Sequence, residues 1–200
     1  MMHVTRFDTL DALTASSNGY LLTSQVLRRG VSKPTLAEYV RKRNMERVGH
    51  GVYLAPNAWP DELYQLSLSS QSIVFSHETA LLLHGLTERE PKTVHVTVKT
   101  GYNASRLRRQ GIRVHQIKPE LAALGITDVQ TSLGNSVRAY DRERTICDIL
   151  RSKKRMDIQV FRYALKEYMA DDRKNLNRLM AYAKEFRLEA VVRTYTEVLL

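Results

Sequence analysis

Phe7, Leu10 and Leu13 recur at the spacing of one helix face, so the chain is expected to open on a helix that Asn18-Gly19 stops. Tyr20-Leu21-Leu22 is a short apolar run, either a small strand or the lead-in to a second helix. Thr23 or Ser24 offers a side-chain cap for that helix, which runs through Leu27 and ends at Gly30. Ser32 and Pro34 mark the next start, because proline is tolerated in a first turn, where its missing N–H breaks no helical bond. This helix extends to about Arg43, and Asn44 suits its C-terminal turn. Glu46-Arg47-Val48 and Val52-Tyr53-Leu54 then flank Gly49-His50-Gly51, two strand-like runs around a glycine-rich tip that predict a β-hairpin.

Pro56 and Pro60 enclose Asn57-Ala58-Trp59, which reads as a linker dividing residues 1–56 from residues 57–200. Beyond it, Glu62, Leu63, Leu66 and Leu68 suggest a helix, and Ile73-Val74-Phe75 a short buried strand. Residues 77–84 read as a helix ended by Gly85. Residues 93–98 and 112–117 alternate apolar with polar, the pattern of half-buried strands. Residues 129–131 and 137–140 are weaker strands. From Asp141 the pattern turns helical, at 141–150, 156–169, 171–186 and a last helix to Leu200. The expected fold class is mixed α/β (α+β): an N-terminal winged helix-turn-helix, then a larger mixed α/β domain with a helical C-terminus.

Composition narrows the function classes. At 200 residues, 43% hydrophobic and 26% charged, the chain has ordinary globular usage, which excludes disorder as its main theme. One cysteine, Cys147, excludes a disulfide scaffold and a zinc ribbon, and fits a reducing cytosol. No apolar run reaches the roughly 18 residues of a membrane span, and the first ten residues lack the apolar core of a signal peptide. The expectation is a cytoplasmic protein with no membrane partner. Lysine plus arginine number 31 against 21 acidic residues, for a net charge of +10 and a pI of about 9.8. That balance points to a polyanionic partner, most often nucleic acid.

The charge is placed accordingly. Helix, turn (Arg28-Arg29-Gly30-Val31-Ser32), helix and hairpin are the parts of a winged helix-turn-helix, with Gly30 free to take the positive φ of a tight turn. Leu36, Tyr39 and Val40 form one face of the second helix and pack inward. Pro34, Thr35, Glu38, Arg41 and Lys42 form the other, which would enter a major groove. There Arg41 would read guanine edges, Lys33 or Lys42 would hold phosphates, and Glu38 would accept from a cytosine amine or reject wrong sites. Arg28 and Arg29 in the turn, and Arg47 and His50 on the hairpin, would reach the backbone or minor groove. The plainer alternative is a small basic module that binds protein.

In the larger domain, residues 91–119 contain no acidic residue, and Lys99, Arg106, Arg108, Arg109 and Arg113 form a C-terminal basic surface, much of it on an expected loop at 99–109. Such a surface suits phosphate or an acidic protein face, or simply solvates the domain. Arg151, Lys153, Lys154 and Arg155 form a second cluster between helices. His77 and His84 would share a helix face, and His95 and His115 alternate with apolar residues, but no ligand spacing converges on a metal. No phosphate-binding glycine loop, nucleophile elbow or dinucleotide fingerprint is present. Asp141, Glu143 and Asp148 cluster among arginines. Asp141 reads as a helix cap and Cys147 as a buried structural thiol. The expectation is a non-enzyme with no cofactor, no metal and no catalytic residue. The alternative is an enzyme acting on nucleic acid or nucleotides through the basic domain.

The ordered set Gly19-Tyr20-Leu21-Leu22, Gly30-Val31-Ser32, Leu36 and residues 47–54 (RVGHGVYL), followed by residues 76–86 (SHETALLLHGL) and 140–150 (YDRERTICDIL), resembles the AbiEi antitoxins of abortive-infection, type IV toxin-antitoxin systems. The resemblance covers nearly the whole chain. It implies a winged helix that binds inverted repeats in double-stranded DNA of its own promoter and represses it. It also implies a C-terminal domain that counteracts a cognate nucleotidyltransferase toxin, with direct binding left open.

Overall fold

Helix α1 (Arg6–Ser16) begins where Thr5 and Asp8 cap each other: the Asp8 N–H donates to Thr5 Oγ1 (3.1 Å) and the Thr5 N–H to Asp8 Oδ2 (2.7 Å). It ends in a turn with Asn18 and Gly19 both at positive φ. A Cβ on Gly19 would lie 2.3 Å from that of Ala58, so this turn admits only glycine. Strand β1 (Tyr20–Leu22) follows, then α2 (Thr23–Arg28), α3 (Lys33–Lys42) and the hairpin β2 (Glu46–Gly49) and β3 (Val52–Leu54). The strands pair antiparallel in the order β1-β3-β2. Leu10, Leu21, Val26, Val31, Leu36, Tyr39 and Met45 close the core between helices and sheet. This is the winged helix-turn-helix expected from the sequence.

One local expectation is corrected. Neither Thr23 nor Ser24 caps α2, because the helix starts a residue earlier, on Leu22, with no side-chain cap. The Thr23 N–H donates instead to the Gly51 carbonyl (2.8 Å), so the hairpin tip satisfies the helix start. By contrast Ser32 does cap α3, accepting from the Thr35 N–H, with Pro34 in the first turn and Asn44 at φ 51° after the last.

The computed structural model describes residues 5–199; residues 1–4, where the first expected domain starts, and Leu200, the expected end of the last helix, lie outside them. Contacts divide the chain into two compact units, one comprising the residues up to Gln71 together with Gln130–Ser136, the other Ser72–Val129 and Val137–Leu200. The proline-bounded segment expected to link two domains therefore lies inside the first unit. The reason is a buried polar knot. Asp61 caps α4 (Glu62–Ser69) and accepts from Thr131 Oγ1 (2.6 Å) and Asn135 Nδ2 (2.8 Å), while its own N–H donates to the Tyr20 hydroxyl (2.8 Å).

The second unit holds β4 (Val74–Phe75), α5 (His77–Leu83), β5 (His95–Lys99), α6 (Ser105–Arg109), β6 (Arg113–Ile117), α7 (Pro119–Ala122) and, but for Gln130 and Ser136, β7 (Ile126–Gln130) and β8 (Ser136–Tyr140). The strands form one sheet in the order β6-β5-β4-β8-β7. β5 runs antiparallel to β4 and parallel to β6, with His95 opposite Arg113 and Thr97 opposite His115. Helices α8 (Arg142–Ser152), α9 (Ile158–Ala170), α10 (Leu176–Glu185) and α11 (Glu189–Leu199) complete it, with a 3₁₀ turn at Lys153–Arg155. Their apolar faces, with Leu81 and Leu86, enclose the main core around Ile149, Phe161, Leu165 and Tyr168.

Four differences from the sequence reading have local causes. β5 is buried from His95 to Val98 on both faces, not half-buried, because α5 and α7 both pack against it. The expected loop at 99–109 ends in a helix, α6. β7 begins at Ile126, three residues before the run at 129 that signals it. Asp171 does not open α10; it ends α9, its carboxylate accepts from the Arg173 N–H (2.8 Å), and Asn175 caps α10 instead. Among the described residues no helix is long and apolar enough to cross a membrane.

Candidate nucleic-acid interface

The helical period sets what α3 shows to solvent. Leu36 and Tyr39 are buried, and the direction opposite them carries Pro34, Glu38 and Arg41, all exposed. Tyr39 is fixed by its hydroxyl, which donates to Asp11 Oδ1 (2.7 Å), and by an edge-on contact with Phe7. Burial pushes the Tyr39 phenol above its ordinary pKa, so it stays a neutral donor.

The basic residues named from sequence fall into two groups. Lys33, Arg29 and Arg41 are exposed and make no ion pair among the described residues. Arg28 and Arg47 are exposed and only brace nearby backbone, Arg28 Nε on the Ser24 carbonyl and Arg47 Nε on the Gly49 carbonyl. His50 is exposed at the hairpin tip. Lys42, in contrast, pairs with Glu38 at 2.8 Å and lies over the Phe7 ring, so each already holds the other's charge. Arg43 is held by Asp11. The Thr35 hydroxyl sits 2.9 Å from Ser32 Oγ within the helix cap and is half-buried. The free cations thus lie in the turn, along the outer face of α3 and on the hairpin.

The basic surface of the second unit is less unified than its sequence run. Lys99 ends β5 and Arg113 begins β6, and the parallel register pairs Arg113 with His95, four residues before Lys99. Four residues of strand separate the two by roughly 13 Å. Arg106, Arg108 and Arg109 are exposed on α6. Arg108 lines a cleft of about 510 Å³ with His77, His115 and Arg155, and Arg113 lines an adjoining one of about 150 Å³. The sequence gives no sign that these histidines and the 151–155 cluster meet, because only strand register and the end of α8 bring them together.

The acidic cluster Asp141, Glu143 and Asp148 is engaged within the fold. Asp141 caps α8 and accepts from the Tyr182 hydroxyl (2.9 Å). Glu143 Oε1 accepts from the Tyr168 hydroxyl (3.2 Å) and the Asn175 N–H (3.0 Å). Asp148 is buried and accepts from Arg144 Nε at 3.2 Å through both oxygens. Cys147 is buried, and burial pushes its thiol up to about 12. Among the described residues no group of three or more histidine, cysteine or acidic side chains is arranged to hold a metal ion. Comparison with protein-family models finds no match, and no curated protein matches the chain.

Proposed function

We propose that this chain is a sequence-specific DNA-binding regulator that acts in the cytoplasm on its own promoter, and an antitoxin against a nucleotidyltransferase toxin encoded beside it. The observation that carries the regulatory reading is Arg41. It stands at the centre of the outward face of α3, exposed and unpaired, while Lys42 and Arg43 beside it are neutralised by Glu38 and Asp11. An arginine so placed suits bidentate contact with guanine in a major groove. Lys33, Arg28, Arg29 and Arg47 around it suit phosphates, which fix register without reading sequence. The antitoxin half rests on the resemblance to the AbiEi antitoxins.

The test is a gel shift on the DNA upstream of the gene against a scrambled duplex, at low and moderate salt. The wild-type chain should retard the upstream fragment selectively, with affinity falling steeply as salt rises. Arg41→Ala should weaken specific binding by on the order of 1–3 kcal/mol and leave non-specific binding nearly unchanged. Unaltered specific affinity in that variant would remove α3 as the reading helix. Co-expression with the neighbouring toxin, and loss of growth rescue when the second unit is disrupted, tests the antitoxin half.

A further inference from the structure

Three histidines distant in sequence meet in the second unit. The His77 and His115 rings are stacked, with centroids 3.6 Å apart and planes 11° from parallel. His115 Nε2 lies 3.4 Å from His95 Nδ1. His77 is only 7% exposed and both its nitrogens face serine hydroxyls, Ser76 Oγ at 3.0 Å and Ser152 Oγ at 3.1 Å. The Ser76 hydroxyl in turn accepts from Thr97 Oγ1 (2.8 Å). His77 also adopts φ +51° at the first position of α5, a left-handed conformation that is costly for a non-glycine residue and persists only where its surroundings hold it.

The walls around this stack are cationic. Arg108, Arg113, Lys154 and Arg155 line the two adjoining clefts and make no ion pair among the described residues. Arg151 shares the larger cleft, 3.6 Å from Asp148. Of the two carboxylates in the lining, Asp148 is already bound to buried Arg144, and only Glu78 is left to face the arginines. A cation would meet repulsion here. A metal would also have to displace the serine contacts of His77 and part the facing His95 and His115 nitrogens. An anion meets four unpaired cations across the two linings. Burial, then the neighbouring histidines and arginines, holds His77 well below its ordinary pKa and brings His95 to about 4; burial, then Arg113, Arg155 and Arg151, brings His115 to about 4.

We propose that this cleft binds a small phosphorylated ligand through adjacent phosphoryl groups, held by Arg108 and Arg155 over the His77–His115 stack. The larger cavity, about 510 Å³, lies within the range of small-molecule sites and can take a nucleoside di- or triphosphate. Inorganic pyrophosphate presents the same phosphoryl pair without the nucleoside. The arginines supply planar forks that match phosphate oxygens, and the serine-braced rings give the cleft a rigid floor.

Calorimetric titration of the full chain with pyrophosphate, ADP and ATP at low ionic strength tests this. Saturable binding of one ligand per chain is expected, weakened at least roughly tenfold by Arg155→Gln and by Arg108→Gln, each the loss of one charge-assisted contact. Both residues are exposed, so both variants should keep the wild-type circular dichroism. Lys166→Gln, on the exposed face of α9 and outside the cleft, removes the same charge and should bind like wild type. Equal affinity for pyrophosphate and ATP would assign recognition to the phosphoryl groups alone; tighter ATP would add the nucleoside. The proposal is overturned if no ligand saturates at millimolar concentration, or if both variants bind like wild type. It is likewise overturned if Arg155→Gln weakens duplex DNA binding while leaving pyrophosphate binding intact, which would make the cleft a DNA contact.

Discussion

Helix α3 of the first unit carries four charged residues among ten, and α8 of the second carries five among eleven. In α3 the charges stand opposite Leu36 and Tyr39 and remain in water. In α8 every residue from Glu143 to Leu150 is buried, because α5, α9 and α10 all pack on it. On the first helix Lys33 and Arg41 are free to meet a ligand, while Glu38 and Lys42 pair with each other in water. Charge on the second must be cancelled internally, since an unpaired ion inside a protein costs several kcal/mol. Arg144, fully buried, meets this requirement on three sides: Asp148, the carbonyls of Leu121 (3.0 Å) and Leu124 (2.9 Å), and the Tyr140 and Phe186 rings at 4.1 and 4.3 Å. A charged helix is therefore evidence of a binding face only once its partners are known.

The largest effect expected from this contrast is on Arg144. Arg144→Ala strands Asp148 and two carbonyls without their donor and should cost about 3–5 kcal/mol in urea unfolding followed by circular dichroism. Arg41→Ala, equal in charge removed, should shift the midpoint by no more than about 0.5 kcal/mol. A small effect at Arg144 would mean that its charge is solvated after all.

Acid should sharpen the same division. His95 and His115 have folded pKa values of about 4 against an ordinary 6.5, with burial the first cause. Between those values the unfolded chain binds protons that the folded chain refuses. Stability is then complete above about pH 6.5 and falls as pH drops towards 4. The loss should be on the order of 3 kcal/mol and confined at first to the second unit, as hydrogen exchange between pH 7 and 4.5 would resolve. His115→Asn should flatten the slope. A slope unchanged in that variant would place the acid sensitivity elsewhere.

A smaller effect than the loss at Arg144 or in acid belongs to the start of α3. Ser32→Ala removes the cap on the Thr35 N–H and should cost about 1 kcal/mol, with the loss of protection restricted to the first turn of the helix. Loss of DNA affinity beyond that amount would show that the cap positions Lys33 as well.

Much of this protein is written locally. The 3.6-residue period of Leu36, Tyr39 and Val40, the Ser32–Pro34 start and the glycines around His50 determine helix α3 and the hairpin after it, since each depends on backbone chemistry within a few residues. The Asp141 cap and the alternating runs at 93–98 and 112–117, which became strands at 95–99 and 113–117, are legible for the same reason. What the sequence could not carry depends on distant partners. Asp61 holds its knot only with Thr131 and Asn135, about seventy residues on, and this knot places the proline segment inside the first unit. Burial of β5 on both faces required α5 and α7 to close over it. The meeting of His77, His95 and His115 required parallel pairing of β5 with β6 and a left-handed start to α5. Hydrophobic period and capping act over one turn of chain and leave their mark in the residue order. Register, charge cancellation and the convergence of the histidines are settled between elements far apart in sequence, where only packing brings the groups together.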